Sequence, residues 1–299
     1  MKMRNILRAV MPSFLLTFYR SCKKKSKRKQ LLASKSKGEI ITKSELIREF
    51  QSIGIQEGDV LLVHSSLSAI GYVENGPKDV VEALLHVVGE RGHLLMPNSP
   101  NASFQLDYIR QLEVFDVLES RSTLGAISEY FRKLPNAVRS AHPTEPVSCV
   151  GPDAAWFVGE HFGRLTPYDE FSPFSRVAQR KGKILYLGVT LANAGTNLHT
   201  LEDAVDDFPY PVYFPEEFQV NVKFADDSIL PMKTFVHNPE QSKKRKCDDL
   251  IPLFIQEGVA KKVLIGNASS LLFDAEGMLK TMLEEYKKRG VTMYTPKGI

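Results

Sequence analysis

The sequence has no run of about 18 apolar residues, so no segment reads as a membrane-spanning helix. Its three cysteines, Cys22, Cys149 and Cys247, are odd in number and widely spaced. That usage excludes a disulfide framework and the paired spacing of a zinc or redox site, and it points to a reducing compartment. Acidic residues are missing altogether from positions 1–38, which carry 12 of the 39 Lys and Arg. The remainder holds 27 basic against 35 acidic residues, a balance of −8, so the formal net charge of +4 hides an acidic body behind a basic leader. An acidic body argues against a nucleic-acid enzyme. It suits a cationic substrate, and it equally suits plain solubility. No His-Glu-x-x-His motif, nucleophile elbow or internal repeat is present.

What is there begins with the leader. Met3, Ile6, Leu7, Val10, Met11, Phe14, Leu15 and Phe18 recur at helical spacing, interrupted by Pro12, and a run from Lys23 to Lys29 follows. An apolar stripe beside a basic cluster is how a peripheral protein sits on an anionic membrane surface, here through residues 1–30. A packed or disordered arm is the competing reading, and a signal peptide is disfavoured because no small-residue cleavage site precedes the lysines. The chain thus divides into a basic amphipathic arm, 1–38, and a globular body, 39–299. The expected location is cytoplasmic, with the arm on the inner membrane face.

At 299 residues and 43% hydrophobic, the chain has ample material for a core. Thr42-Lys43-Ser44-Glu45 has the form of a capping box ahead of Leu46, Ile47 and Phe50. Val60–Val63, His93–Met96, Ile184–Leu187 and Val263–Ile265 read as buried strands. Between them lie helical patterns: one opened by Asn75-Gly76-Pro77, one that Ser122 would cap, one started by Pro152, and a closing one over 273–286. Phe218–Phe224 and Ile229–Met232, separated by Asp226-Asp227, read as a hairpin. The fold class is therefore α/β, a layered α/β/α body with a central mixed sheet and a small β-hairpin element. Lys243-Lys244-Arg245-Lys246 reads as an exposed, solvated loop, with coenzyme A phosphates as its alternative partner.

Four segments carry candidate chemistry. His64-Ser65-Ser66-Leu67-Ser68-Ala69-Ile70-Gly71 follows a strand, where α/β folds bind ligands and where backbone amides and a helix start can hold phosphate or pantetheine. A polar turn is the plain alternative. Ser140-Ala141-His142-Pro143 fixes His142 in extended backbone ahead of proline. Tyr168-Asp169-Glu170-Phe171-Ser172-Pro173 offers two carboxylates to a cationic ligand, or to a helix cap. Finally, Thr196-Asn197-Leu198-His199-Thr200-Leu201-Glu202-Asp203 puts His199 and Glu202 three apart. On a helix they share a face, and a Glu beside a His orients the ring and raises its basicity. Such a pair can take a proton from an amine during attack on a thioester, with Thr196 and nearby amides stabilising the oxyanion. A surface His–Glu pair is the plain alternative.

Taken together, these segments resemble the aminoglycoside 3-N-acetyltransferase family of antibiotic N-acetyltransferases, collinearly from about Thr42 to Glu285. The matching stretches are Gly58–Gly71, Gly76-Pro77, Gly92–Pro97, Ser140–Thr144, Gly151–Ala154, Ser172-Pro173 with Gly188-Val189, the Thr196–Glu202 segment and Ile265-Gly266-Asn267-Ala268. The resemblance implies direct transfer from acetyl-coenzyme A to an amine in a ternary complex. His199 carries over as general base and Glu202 as its orienting partner, with Thr196 beside them. His64, Ser65, Ser66, Leu67, Ser68 and Gly71 would form the coenzyme A loop. His142, Asp169 and Glu170 would stand on the acceptor side. The chain departs from the family at Asn197 and at Thr200-Leu201, which replace the usual neighbours of the dyad. It departs further in the basic arm and across 204–250, where the acceptor would bind.

The sequence therefore reads as an N-acetyltransferase acting on an aminoglycoside or an amine-bearing sugar, with no metal and no nucleic-acid partner. Three other readings stay open at this level. One is an inactive binding protein of the same fold. Another is a metal-dependent hydrolase using His64, His142, His199, Glu202 and Asp203. The third is a covalent acetyl-enzyme through Ser65 or Ser66.

Overall fold

The computed structural model describes Cys22, residues 25–26, 29–101 and 104–294. The expected amphipathic stripe over 3–18 lies outside the described residues. Among those described, no helix is long and apolar enough to cross a membrane.

Strand β1 (Ile40–Ile41) leads into helix α1 (Lys43–Ser52). The capping box forms as its sequence implies: the Glu45 amide donates to Thr42 Oγ1 at 3.3 Å, and the Thr42 amide donates to Glu45 Oε2 at 2.8 Å. Then come β2 (Val60–Ser65), the short helix α2 (Leu67–Ile70), β3 (Tyr72–Val73), α3 (Pro77–Val88) and β4 (His93–Pro97). Pro77 opens α3, where its missing N–H costs nothing. After β5 (Val114–Asp116), helix α4 (Ala126–Arg132) starts later than Ser122 would cap it. Gly125 is its N-cap, because the Ser122 hydroxyl is spent on Ser128 Oγ at 2.9 Å. The chain continues through β6 (Val138–Arg139), β7 (Val147–Val150), α5 (Ala154–Val158), α6 (Pro173–Gln179) and β8 (Lys183–Leu187). The end of the body is built from α7 (Thr200–Asp203), β9 (Phe218–Lys223), β10 (Ile229–Thr234), α8 (Ile251–Gln256), β11 (Ala260–Ile265), β12 (Ala268–Asp274) and α9 (Ala275–Arg289).

Seven strands make the main sheet in the order β11-β12-β8-β2-β4-β7-β6. Only the centre is parallel, β8 and β4 flanking β2; the pairs on either side are antiparallel, so the sheet is mixed. Alternation along its strands builds two cores. Leu62, Leu95, Ile184 and Tyr186 pack with Phe157, Phe174 and Phe254 on one face. Leu61, Val63, Leu94, Met96, Leu185 and Leu187 pack with Phe50, Val81, Leu84 and Phe131 on the other. Helices cover both faces, which is why the central strands read as unbroken apolar runs.

The β9–β10 hairpin forms a separate three-stranded sheet, because β5 adds parallel to β9. Phe115, Val220, Val222 and Met232 give it a core of its own. The late strand is longer than its apolar centre suggests. It is the β11–β12 hairpin, and Phe273 belongs to β12, so the closing helix begins at Ala275 with Asp274 as its cap.

Candidate active site

The site lies past the carboxyl ends of β2 and β8. After β8, Gly188 turns with φ +67°, and the chain runs through a tight 3-10 turn, Thr196–His199, into α7. His199 and Glu202 thus straddle two short turns rather than one helix. Buried Leu198 and Leu201 anchor both turns, and the Thr200 hydroxyl donates to the Asn197 carbonyl at 2.7 Å. The three-residue spacing still brings the side chains together, with His199 Nδ1 2.9 Å from Glu202 Oε1.

Glu202 is buried, and it serves more than one partner. His237 Nε2 lies 2.9 Å from Oε2, and the Tyr294 hydroxyl lies 2.5 Å from Oε1. Burial alone would push this carboxyl up, but His199 and His237 outweigh it and hold it well below the usual carboxylate range. An anionic carboxylate only accepts, so both imidazoles must donate to it. His199 therefore carries its hydrogen on Nδ1 and its lone pair on Nε2, which takes no hydrogen bond from the described residues. Burial, and then the Arg245 guanidinium, push the His199 imidazole below its ordinary value, with Glu202 opposing. The arrangement is a neutral, oriented base. The Tyr168 ring packs on it at 5.0 Å between centroids.

His199, Glu202 and His237 are also close enough to suggest a cation site. The geometry is instead that of a carboxylate saturated by donors. Each ring nitrogen meets a different oxygen at hydrogen-bond distance, whereas zinc needs lone pairs converging on one point about 2.0–2.2 Å away.

The strand-end loop meets this turn through His64. Its ring stacks on Tyr186 at 5.0 Å, and Nε2 sits 3.2 Å from Asn197 Oδ1 and 3.3 Å from Thr196 Oγ1. Burial pushes His64 down to about 4, so it is a neutral tie between the β2 end and the Thr196–His199 turn. Ser65, Ser66 and Leu67 are half-buried and Ser68 is exposed, while the Ser66 amide donates to the Leu187 carbonyl at 2.9 Å. Gly71 has a packing reason for being glycine. Its φ is +126°, and a Cβ there would stand 2.8 Å from Asn267 Nδ2 and from Ile41 Cδ1.

Other expected residues land elsewhere. His142 is wholly buried, its nitrogens 3.2 Å from Thr144 Oγ1 and 3.3 Å from Thr234 Oγ1, with its ring stacked on His161. It is an interior residue joining the two sheets, not one facing a cleft, because both ring nitrogens are already spent. Asp169 is spent locally, Oδ1 accepting from the Phe171 amide at 3.0 Å and Oδ2 lying 3.8 Å from Arg164 Nε. Glu170 lines a cavity of about 530 Å³ between α6, α7 and α9, together with Tyr168, Thr200 and Asp203. Asp203 accepts from the Tyr213 hydroxyl at 2.7 Å, and burial pushes its carboxyl up to about 6.

The basic run is not uniformly solvated. Lys243, Lys244 and Lys246 are exposed, but Arg245 turns inward beside Glu202 and Tyr294. Its Nε and Nη2 are buried without a partner among the described residues. Sequence reasoning also missed His237, Tyr294 and Glu145. Glu145 accepts from Ser99 at 2.5 Å and from Gln105 at 2.8 Å, and Gln105 Oε1 accepts from the His237 amide at 2.9 Å. His237 lies 35 residues from Glu202 and Tyr294 lies 92 away, so only the tertiary fold reveals them.

A family model described as aminoglycoside 3-N-acetyltransferase matches residues 62–286. Aminoglycoside N(3)-acetyltransferase IX of Micromonospora chalcea is 33% identical over 180 residues, 56% of this chain and 63% of that one. The match thus spans somewhat under two thirds of that relative's length. Aminoglycoside N(3)-acetyltransferase VII of Streptomyces paromomycinus is 32% identical over 267 residues, 80% of this chain and 89% of that one. Among solved structures, AAC-IIIb in binary complex with CoASH superposes with a TM-score of 0.72 at 24% identity, over 87% of this chain and 100% of that one, a likeness of fold. AAC-VIa bound to sisomicin gives a TM-score of 0.69 at 26% identity, over 83% and 98%.

Proposed function

This chain belongs to the aminoglycoside 3-N-acetyltransferase family, and from that premise we propose that it moves acetyl from acetyl-coenzyme A to an amine of an aminoglycoside or amino sugar, with His199 as general base. The observation that carries the reading is the neutral His199 imidazole, aimed by Glu202 at 2.9 Å with Nε2 left open. As the acceptor nitrogen attacks the thioester carbonyl, its proton passes to His199 Nε2, and Glu202 stabilises the imidazolium. The tetrahedral intermediate collapses, the C–S bond breaks, and the departing thiolate takes the proton back from His199. Thr196, half-buried with Oγ1 3.3 Å from His64 Nε2, supplies a hydroxyl for the oxyanion in this reading, with backbone amides of the same turn beside it. The Ser65–Ser68 loop at the β2 end supports the coenzyme A arm, next to the start of α3.

The acceptor is an amine in either class. The relatives' names favour aminoglycosides, and the diverged 204–250 region leaves room for an amino sugar. Direct transfer is tested by incubating the protein with acetyl-coenzyme A alone and weighing it intact. Unmodified protein, followed by acetylated product once an amine is added, is the expected result. A stoichiometric acetyl adduct on Ser65 or Ser66 would replace the direct route with a covalent one.

A further inference from the structure

We infer that His237 is a positioning residue that acts through Glu202: it occupies the carboxylate oxygen that His199 leaves free, and so sets both the aim and the basicity of His199. The functional consequence rests on the proposed base role of His199, but the coupling itself can be tested without any acceptor.

The geometry is specific. His237 Nε2 donates to Glu202 Oε2 at 2.9 Å while His199 Nδ1 donates to Oε1 at the same distance, with the two rings 4.4 Å apart. One carboxylate is thus gripped at both oxygens and cannot rotate about its terminal bond without breaking a charge-assisted hydrogen bond. His237 cannot rotate either. Tyr213 stacks on it at 5.3 Å with 5° between planes, Tyr168 packs at 5.3 Å, and the His237 amide donates to Gln105 Oε1. Its tautomer follows from its partner: facing an anion, Nε2 must carry the hydrogen.

The electrostatic consequence is as definite as the steric one. A buried Glu202 paired only with His199 would concentrate its charge on that one ring and favour the imidazolium, raising the pH below which His199 is protonated. The donors from His237 and Tyr294 spread that charge. His199 is then held straight yet stays neutral. The other titratable groups around the pair are Tyr168 from the turn before α6, Arg245, Cys247, and Asp203 on α7 with its partner Tyr213. None of them reaches Oε2 of Glu202.

The test is an imidazole ¹⁵N NMR titration of the full chain, as wild type and as His237→Phe, His237→Gln and His237→Asn. In the wild type, His199 should show the Nδ1–H tautomer and His237 the Nε2–H tautomer. Glutamine places an amide nitrogen where Nε2 stood, whereas asparagine mimics Nδ1 and falls short of Glu202. His199 should therefore titrate about one pH unit higher in the Phe and Asn variants and return close to wild type in the Gln variant. Where an acceptor turns over, the acid limb of kcat/KM should move by the same amount, with kcat down about tenfold and the KM for acetyl-coenzyme A unchanged. A merely structural role would lower melting temperature or coenzyme A affinity in all three variants and leave the His199 titration alone. An Nδ1–H tautomer for His237 in the wild type, or one His199 titration across all four proteins, overturns the inference. Turnover that survives His199→Ala would instead refute the base assignment and leave the His237–Glu202 coupling standing.

Discussion

Nε2 of His237 lies 2.9 Å from the Glu202 carboxylate oxygen that His199 does not use. The candidate base is therefore the outer member of a buried hydrogen-bonded set that also includes Tyr294, rather than one half of an isolated pair. Four distant parts of the chain meet at one carboxylate: the turn after β8, the segment after β10, the end of the described chain, and Arg245 from the basic run.

Glu202→Gln tests how far that carboxylate matters. The amide keeps the volume but loses the charge; its oxygen belongs on the side that takes donors from both His199 and Tyr294, and its NH2 on the side that faces His237. With no anion behind it, the His199 imidazolium loses its stabilisation, and Nε2 becomes a weaker base. Steady-state kinetics should show kcat down about a hundredfold or more, while acetyl-coenzyme A binding by calorimetry stays near wild type.

Arg245→Met removes the cation that helps burial hold His199 low. Without it the imidazolium is easier to form, so the His199 titration moves up. The acid limb of kcat/KM should shift to higher pH, and Arg245→Lys should retain most of the wild-type position. A limb that moves to lower pH, or does not move at all, would separate Arg245 from the base.

Stability should fall steeply on mild acidification. His64 is pushed down to about 4 and His161 and His237 to about 3, and burial lowers His142 and His199 as well. In the unfolded chain these imidazoles titrate near their ordinary value of about 6.5. Below that pH the unfolded state takes up protons that the folded state refuses, so each histidine held neutral in the fold adds a cost that grows as the pH falls. Asp203, pushed up to about 6, works the other way and offsets part of one of them. Urea midpoints measured from pH 7 to pH 5 should drop accordingly; a flat profile would mean that the histidines are not buried as neutral groups.

Gly188→Ala should damage the proposed coenzyme A loop before the dyad. Gly188 sits at φ +67°, and a Cβ there would come 2.4 Å from the Ala69 Cβ, on the helix that follows Ser66. The loop would have to shift, and left-handed backbone adds about 1–3 kcal/mol of strain. The expected outcome is a raised KM for acetyl-coenzyme A and a lower melting temperature, with the acid limb of the pH profile unchanged.

Much of the frame was legible because the central strands are buried on both faces and so stand out as apolar blocks. The Thr42 capping box and Pro77 marked two helix starts by local chemistry alone. What escaped was short or tertiary. Three-residue β5 carries no periodic signal, and it was β5 that enlarged the hairpin into a sheet. Ser122 looked like a cap because nothing local shows that its hydroxyl is taken by Ser128. Within the site, the spacing of His199 and Glu202 was sufficient to bring their side chains together across two turns. His237 and Tyr294 gave no local signal, and Arg245 was hidden in a run of exposed lysines. His142 drew notice through its proline, yet from that segment it is Glu145 that connects to His237, by way of Gln105.

The central claim is that His199 takes the amine's proton. The most direct measurement is acceptor-dependent release of coenzyme A from acetyl-coenzyme A, across aminoglycosides, amino sugars and nucleotide-linked amino sugars, with His199→Ala run beside the wild type. The account predicts release with at least one amine and a loss of about two to four decades in the variant. Equal release by the two proteins would contradict it.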